Sequence, residues 1–198
     1  MGGPFTLTDH MGNRVTEKSW PQKYLLVYFG FTHCPDICPR GLSTLTEALN
    51  KTSATALEKI QPVFITVDPA RDTAEVLKEY MKAFHPKFLA LTGSEAEIDA
   101  VKKAYRVYAE DPSQNHGQGH EHGHGGHDHS QSMGMINHSA FTYLMAPDGT
   151  LAHIFGHDAT SAEIAKTLNS TLKAALYFNS SRWIGGRCSR KLLRSWPD

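Results

Sequence analysis

Short apolar runs and amphipathic stretches alternate along the first 105 residues. Residues 24–29 form an unbroken apolar run, and 63–67 form one interrupted only by Thr66, the pattern of strands buried on both faces; 88–92 is a third run. Each run is followed by a stretch with apolar residues three or four apart, beginning near residues 39, 72 and 94. That spacing predicts three helices between and after the strands. The order is typical of a layered α/β domain.

Two hairpins and a helix are predicted around this centre. Residues 5–9 and 14–16 alternate about a turn at Gly12, and 140–146 and 151–155 flank the turn residues Pro147 and Gly149. An amphipathic helix over 160–176 closes the pattern. We therefore predict an α/β, thioredoxin-like fold with a mixed central sheet and an N-terminal β-hairpin, in one domain over 1–176.

Composition narrows the function. The 198 residues are 40% hydrophobic, enough for one substantial core. Five of the 20 basic residues but one of the 20 acidic residues fall in 177–198, so residues 1–176 carry a charge of about −4. Nucleic-acid binding needs a concentrated basic face and is therefore disfavoured. The chain contains no run of 18 apolar residues, so the sequence predicts no membrane-spanning helix. Residues 177–198 lack a helical or strand period, and we expect them to be disordered or foreign to the native chain, with a membrane-surface or partner-binding tail as the alternative.

The candidate chemistry lies between the run 24–29 and the first helix. Cys34 and Cys38 stand there, each followed by a proline. A helix N-terminus favours thiolate, which either exchanges electrons through a disulfide or holds a soft metal. Three residues separate the cysteines, where redox pairs in this fold usually have two. The wider spacing favours a metal, although a disulfide remains geometrically possible.

His138 is the candidate third ligand. Thioredoxin-like oxidoreductases carry a cis-proline before the strand that faces the cysteines, whereas this chain has Asn137 and His138 there. Two thiolates and an imidazole suit Cu(I), and they hold Cu(II) with an added ligand. The alternative is an ordinary histidine at a strand edge, hydrogen-bonded to a backbone carbonyl.

A second group of imidazoles lies in residues 111–131, a glycine-rich stretch of low complexity that we expect to form a flexible loop inserted in the fold. Imidazoles there would bind Cu(II), Ni(II) or Zn(II) with modest selectivity, as auxiliary metal ligands. A solvated loop that binds metal only incidentally is the alternative. The six histidines are His116, His120, His122, His124, His127 and His129.

Polar residues near the second apolar run have a structural and a functional interpretation. Asp72 begins a capping-box pattern that ends at Glu75, and Asp68 can form an ion pair with Arg71. Alternatively, these residues tune a metal site or contact a partner. His33 adjoins Cys34, but adjacent residues seldom converge on one metal, so we expect it to be exposed or outside the ligand set.

Four blocks, at residues 2–7, 30–39, 67–73 and 137–139, resemble the signatures of the Sco/SenC copper-chaperone family. The resemblance implies copper held by Cys34, Cys38 and His138, for assembly of the binuclear copper centre of cytochrome c oxidase. It implies the copper-bearing oxidase subunit as partner, with another copper chaperone as a further candidate. It also implies an N-terminal anchor in the bacterial inner membrane, facing the periplasm, or alternatively in the inner mitochondrial membrane. Asn137 departs from the family's usual aspartate, and the histidine-rich stretch exceeds its usual pattern.

Three functions compete for these residues. A metallochaperone, rather than an enzyme, is the first; a thiol–disulfide oxidoreductase that reduces the copper-site cysteines of the oxidase subunit is the second. His138 separates them, because reduction does not need an imidazole and copper binding does. A peroxidase is disfavoured, since its motif places threonine three residues before the cysteine and Thr32 lies only two before Cys34.

Overall fold

The computed structural model describes the backbone of residues 1–107, 109–110, 137–138 and 141–184, and the side chains of 1–107 and 141–173. The strands are β1 (Thr6–Asp9), β2 (Arg14–Thr16), β3 (Tyr24–Gly30), β4 (Ile60–Thr66), β5 (Leu89–Thr92), β6 (Ala109–Glu110), β7 (Asn137–His138), β8 (Thr142–Met145) and β9 (Leu151–Phe155). The α-helices are α1 (Ile37–Lys51), α2 (Ala54–Glu58), α3 (Ala74–Met81), α4 (Glu95–Tyr105) and α5 (Ser161–Ile184), and a 3-10 turn spans Glu17–Ser19.

Seven strands form one mixed sheet in the order β2-β1-β5-β4-β3-β8-β9. The central strands β3, β4 and β5 are parallel, whereas β8 pairs antiparallel with β3 and β1 antiparallel with β5. Both predicted hairpins are present, as β1–β2 and β8–β9. Gly30 at the end of β3 lies opposite Thr66 at the end of β4, so the loops after both strands share one edge of the sheet.

Alternation along β3 directs side chains to two helical layers. Tyr28 packs toward Phe64 of β4, which in turn contacts Tyr80 of α3. Phe29 points to the opposite face and packs on Tyr105 of α4, with ring centroids 5.3 Å apart. The apolar runs predicted as strands are therefore buried on both faces, as their composition indicates.

Two predicted boundaries are wrong. The first helix begins at Ile37 rather than near 39, which puts Pro39 at its third position instead of its first. Proline is tolerated there because the N–H groups of the first turn have no partner within the helix. Strand β4 begins at Ile60 rather than 63 and includes Pro62. Only β3 borders this end of β4, since β5 pairs from Val63 onward, so proline disrupts the sheet little.

The last helix is longer than predicted. It continues to Ile184, past the expected end at Leu176, because no glycine or proline interrupts the chain before Gly185. The expected tail over 177–198 thus begins within a helix, and 185–198 lie outside the described residues. The histidine-rich stretch 111–131 also lies outside them. No helix in the described part of the chain is both long and apolar enough to cross a membrane.

Gly41 sets the distance between α1 and the sheet. A Cβ atom at this position would lie 2.5 Å from the hydroxyl of Tyr28, whose side chain is fully buried. We expect Gly41→Ala to destabilise the protein by about 1–3 kcal/mol through overpacking, despite alanine's higher helix propensity. Chemical denaturation measures the change. A Tyr28→Phe background should recover part of the loss, and an unchanged or increased stability in Gly41→Ala would contradict this packing.

Candidate metal centre

The predicted dithiol lies at the sheet edge where β3 and β4 end. Residues 31–36, here called the cysteine loop, connect β3 to α1. Cys34 is half-buried in this loop, and Cys38 is fully buried in the first turn of α1. The N–H of Cys38 donates to the sulfur of Cys34 at 3.3 Å. The side chain of the N-cap residue, Asp36, makes no capping hydrogen bond. The Cys34 sulfur therefore accepts a hydrogen bond from an N–H of the first turn, a role that the N-cap side-chain oxygen usually has.

Cys38 is enclosed by the sheet. A Cβ atom on Gly30 would lie 2.9 Å from the Cys38 sulfur and 2.9 Å from the ring of Phe64, so only glycine leaves room for this thiol. The pKa of Cys38 is raised to about 12, mainly by burial; hydrogen bonds with Phe31 and Tyr28 lower it, and the neighbouring Cys34 raises it. The Cys38 side chain therefore holds its proton at neutral pH, contrary to the thiolate expected at a helix N-terminus, because burial outweighs the helix dipole.

The Tyr28 side chain lies next to Cys38 and is hydrogen-bonded to it. Its hydroxyl donates to the carbonyl oxygen of Ile37 at 3.4 Å, in the first turn of α1. Burial raises the pKa of Tyr28, and the two cysteines add to the effect. The phenol therefore stays protonated and remains a hydrogen-bond donor next to the dithiol.

Asp72 does not cap α3, contrary to the capping prediction. Thr73 is the N-cap, and its hydroxyl accepts from the N–H of Val76. The carboxylate of Asp72 is fully buried and accepts from the N–H of Thr32 at 3.0 Å and from its hydroxyl at 2.5 Å. A third donor is the hydroxyl of Thr66 at 2.6 Å. Asp72 therefore joins the end of β4 to the cysteine loop.

The neighbouring polar residues follow their predictions more closely. The Nε of Arg71 donates to the carboxylate of Asp68, which confirms the predicted ion pair. His33 is mostly exposed; its Nδ1 lies 3.1 Å from the Thr32 hydroxyl and 3.9 Å from the Asp72 carboxylate. His33 thus lies in the cysteine loop beside the hydrogen bonds that join Thr32 to Asp72.

The structure brings the two cysteines together, and His138 stays a prediction. His138 lies on β7, where its backbone pairs with Ala109 of β6, and not at the start of the hairpin strand β8. Its side chain, like the six histidines within 111–131, lies outside the described residues. Among side chains of 1–107 and 141–173, no group of three or more His, Cys, Asp or Glu is placed to hold a metal.

Sequence reasoning did not identify Thr32, Thr66 and Tyr28 as parts of this site. Each lies on or beside an apolar run, where a hydroxyl gives no periodic signal. The position of Thr32 just before a cysteine pair was the available hint. Their roles depend on contacts between segments up to 40 residues apart.

The chain resembles known proteins over most of its length. A sequence model of the SCO1/SenC family matches residues 1–173. The human mitochondrial SCO1 homolog is 38% identical over 174 residues, covering 87% of this chain and 53% of the human protein. The SCO2-like protein of Rickettsia prowazekii is 42% identical over 83% of this chain and 73% of its own length. The chain thus spans about half the length of the human relative.

Solved structures agree in fold. The copper-bound ScoI of Arabidopsis thaliana is 37% identical, with a TM-score of 0.72 over 87% of this chain and 98% of that one. Copper-bound yeast Sco1 is 36% identical, with a TM-score of 0.68 over 87% of this chain and 92% of that one. These likenesses confirm the predicted thioredoxin-like fold. With the match to residues 1–173, they establish that the chain belongs to the SCO1/SenC family.

Proposed function

We propose that this protein is a copper metallochaperone. Cys34, Cys38 and His138 bind the metal, and the protein delivers it to the copper-bearing subunit of cytochrome c oxidase. The observation that carries the proposal is the pair of thiols at the β3–α1 junction, one half-buried and one buried. The copper-bound structures of two relatives above 35% identity support the same assignment.

The donor chemistry of the two sulfurs fits a soft cargo. Thiolates prefer Cu(I) over harder cations, and a neighbouring imidazole extends the set to Cu(II). Cys38 is buried with its pKa raised to about 12, so a cation that replaces its proton removes the cost of burying a negative sulfur. The donor set therefore suits Cu(I) better than Mg(II), whose usual sites contain oxygen ligands.

Release of the cargo requires access from outside. Cys34 is only half-buried, and Ile37, between the two cysteines, is 48% exposed. An incoming thiolate from a partner can therefore approach the copper on the Cys34 side and replace the ligands one at a time. A fully enclosed site would hold the metal more permanently.

A thiol–disulfide oxidoreductase is the second candidate, and the asymmetry of the cysteines favours it. Oxidoreductases use one accessible thiol to attack and a second to resolve the mixed disulfide. Cys34 and Cys38 match this division by exposure. The two functions are compatible in one protein, because the dithiol binds copper and the disulfide does not.

The cellular location is a proposal that follows from membership of the family. We propose a membrane-anchored protein of the bacterial periplasm, with the mitochondrial intermembrane space as the alternative. The rickettsial relative is consistent with the first and the mitochondrial relatives with the second. Another copper chaperone that loads this one is a further proposed partner.

Titration of the reduced protein with Cu(I) tests the proposal. A variant lacking residues 111–131 removes the six predicted auxiliary histidines and should bind one Cu(I) per chain. Binding of no Cu(I), or of Zn(II) in preference to it, would reject the copper assignment. The full chain serves as the control for any contribution of the deleted stretch.

The affinity should depend on pH in a defined direction. The pKa of Cys38 is raised to about 12, so binding displaces at least this one proton at any pH between 6 and 8. The apparent Cu(I) association constant should therefore rise at least about tenfold per pH unit, or about 100-fold between pH 6 and 8. Competition with a Cu(I) chelator of known pH dependence measures the slope. A pH-independent constant would mean that Cys38 does not lose its proton to copper.

A further inference from the structure

A buried carboxylate links the two loops that border the dithiol. Asp72 comes from the turn between β4 and α3, yet two of its three hydrogen-bond donors belong to Thr32 in the cysteine loop. Its side chain is fully buried, as is that of the third donor, Thr66. Since the bonds to Thr32 use both its backbone N–H and its hydroxyl, they fix the position and the rotamer of a residue two before Cys34.

The turn that carries Asp72 is itself held in place. The hydroxyl of Thr66 accepts from the N–H of Asp68 at 3.0 Å, and the N–H of Asp72 donates to the carbonyl of Asp68 at 3.0 Å. The N–H of Val67 donates to the carbonyl of Gly30 at 2.9 Å. These hydrogen bonds hold the Asp72 turn against the end of β4, and the Asp72 carboxylate accepts hydrogen bonds from the more exposed cysteine loop.

We propose that Asp72 is a positioning residue for the dithiol, holding the cysteine loop through Thr32 so that the Cys34 sulfur stays next to the first turn of α1. The inference rests on the proposed copper binding by Cys34 and Cys38. Mutating residues that hydrogen-bond directly to metal ligands typically changes metal affinity 10- to 100-fold, and we expect the same range for Asp72, which acts through Thr32. Asp72 touches neither the copper nor the sulfurs in this role.

A matched control is available in the same chain. Asp9 is also a buried aspartate, 5% exposed, and accepts from the N–H groups of Met11 and Asn13 and from the Asn13 side chain. Its bonds close the turn between β1 and β2, outside the site. Asp9→Asn therefore removes a buried charge from a comparable network without affecting the cysteine loop.

The first test needs no copper. In the metal-free, reduced full chain, we expect Asp72→Asn to accelerate amide hydrogen exchange in residues 31–38 at least about tenfold, since a looser loop opens more often. Exchange in β3 and β4 should change less, and Asp9→Asn should leave residues 31–38 as in the wild type. An unchanged rate in Asp72→Asn, or equal acceleration in Asp9→Asn, would overturn the positioning role.

The second test measures Cu(I) affinity by chelator competition in the same variants. Asp72→Asn should bind Cu(I) about 10- to 100-fold more weakly than the wild type, and Asp9→Asn within about twofold of it. The Cu(II)–thiolate absorption band should shift only in Asp72→Asn. Wild-type affinity and spectrum in Asp72→Asn would overturn the inference. Absence of Cu(I) binding in the wild type would instead reject the proposed function, and the exchange data would still report on the loop.

Threonine variants separate positioning from general stability, and they serve even if Asp72→Asn fails to fold. Thr32→Val removes a hydroxyl on the cysteine loop, and Thr66→Val removes one on the β4 side. We expect weaker Cu(I) binding in Thr32→Val than in Thr66→Val, and no further loss when Thr32→Val is combined with Asp72→Asn. A further loss of Cu(I) affinity when Thr32→Val is added to Asp72→Asn would show that Asp72 does not act through the Thr32 hydroxyl.

Discussion

Cys34→Ala and Cys38→Ala are each expected to abolish stoichiometric Cu(I) binding by the reduced protein. Two soft thiolates provide most of the affinity, and either variant leaves a single sulfur. The loss of Cu(I) affinity should exceed the roughly 100-fold loss that follows mutation of a residue hydrogen-bonded to a metal ligand. Chelator competition on the variants lacking residues 111–131 measures it. Stoichiometric Cu(I) retained in both variants would reject the dithiol as the metal site.

Cys34→Ser provides the control that separates metal binding from local structure. The Cys34 sulfur accepts the N–H of Cys38 at the start of α1, and a serine oxygen can accept the same bond. We therefore expect Cys34→Ser to be more stable than Cys34→Ala toward denaturant, by about 0.5–2 kcal/mol. Its Cu(I) affinity should remain as low, because a hydroxyl is a poor ligand for Cu(I). Recovery of Cu(I) binding in Cys34→Ser would indicate that the sulfur is not a ligand.

The sequence predicted the framework of the site because its signals there are local. The apolar run that became β3 and the cysteines directly after it place the dithiol at a strand–helix junction without any tertiary information. The predicted start of a helix near residue 94 is equally local and is confirmed: Ser94 is the N-cap of α4 and forms a capping box with Glu97. In each case one short segment contains both the pattern and the groups that satisfy it.

The role of Asp72 could not be predicted from the neighbouring sequence. Either Asp72 or Thr73 fits the pattern of a helix N-cap, and Glu75, three residues after Asp72, favours Asp72 in the sequence. In the structure Thr73 takes the cap, which frees the Asp72 carboxylate for Thr32, 40 residues earlier. The burial of Asp72 follows from the parallel pairing of β3 and β4, which brings both loops to one edge. A contact of that kind depends on the assembled sheet and leaves no periodic trace in the chain.

His138→Ala is expected to separate copper delivery from thiol chemistry. Copper binding should weaken at least about tenfold, and more for Cu(II) than for Cu(I), because Cu(II) has the stronger preference for nitrogen ligands. The pairing of β7 with β6 uses backbone groups, so alanine should preserve it. His153→Ala is the matched control, since His153 is an exposed histidine of β9 whose ring packs on Phe155. Titration of both variants with Cu(I) and Cu(II) measures the difference.

The dithiol–disulfide couple should survive in His138→Ala, because exchange depends on the two sulfurs and their thiolate character. The variant should therefore still reduce a disulfide in the copper-bearing oxidase domain in vitro, while failing to load copper into that domain. Wild-type rates of both reactions in His138→Ala would remove the imidazole from the mechanism. Loss of both rates would instead mean that the substitution disturbs the cysteine loop itself, which hydrogen exchange in residues 31–38 would reveal.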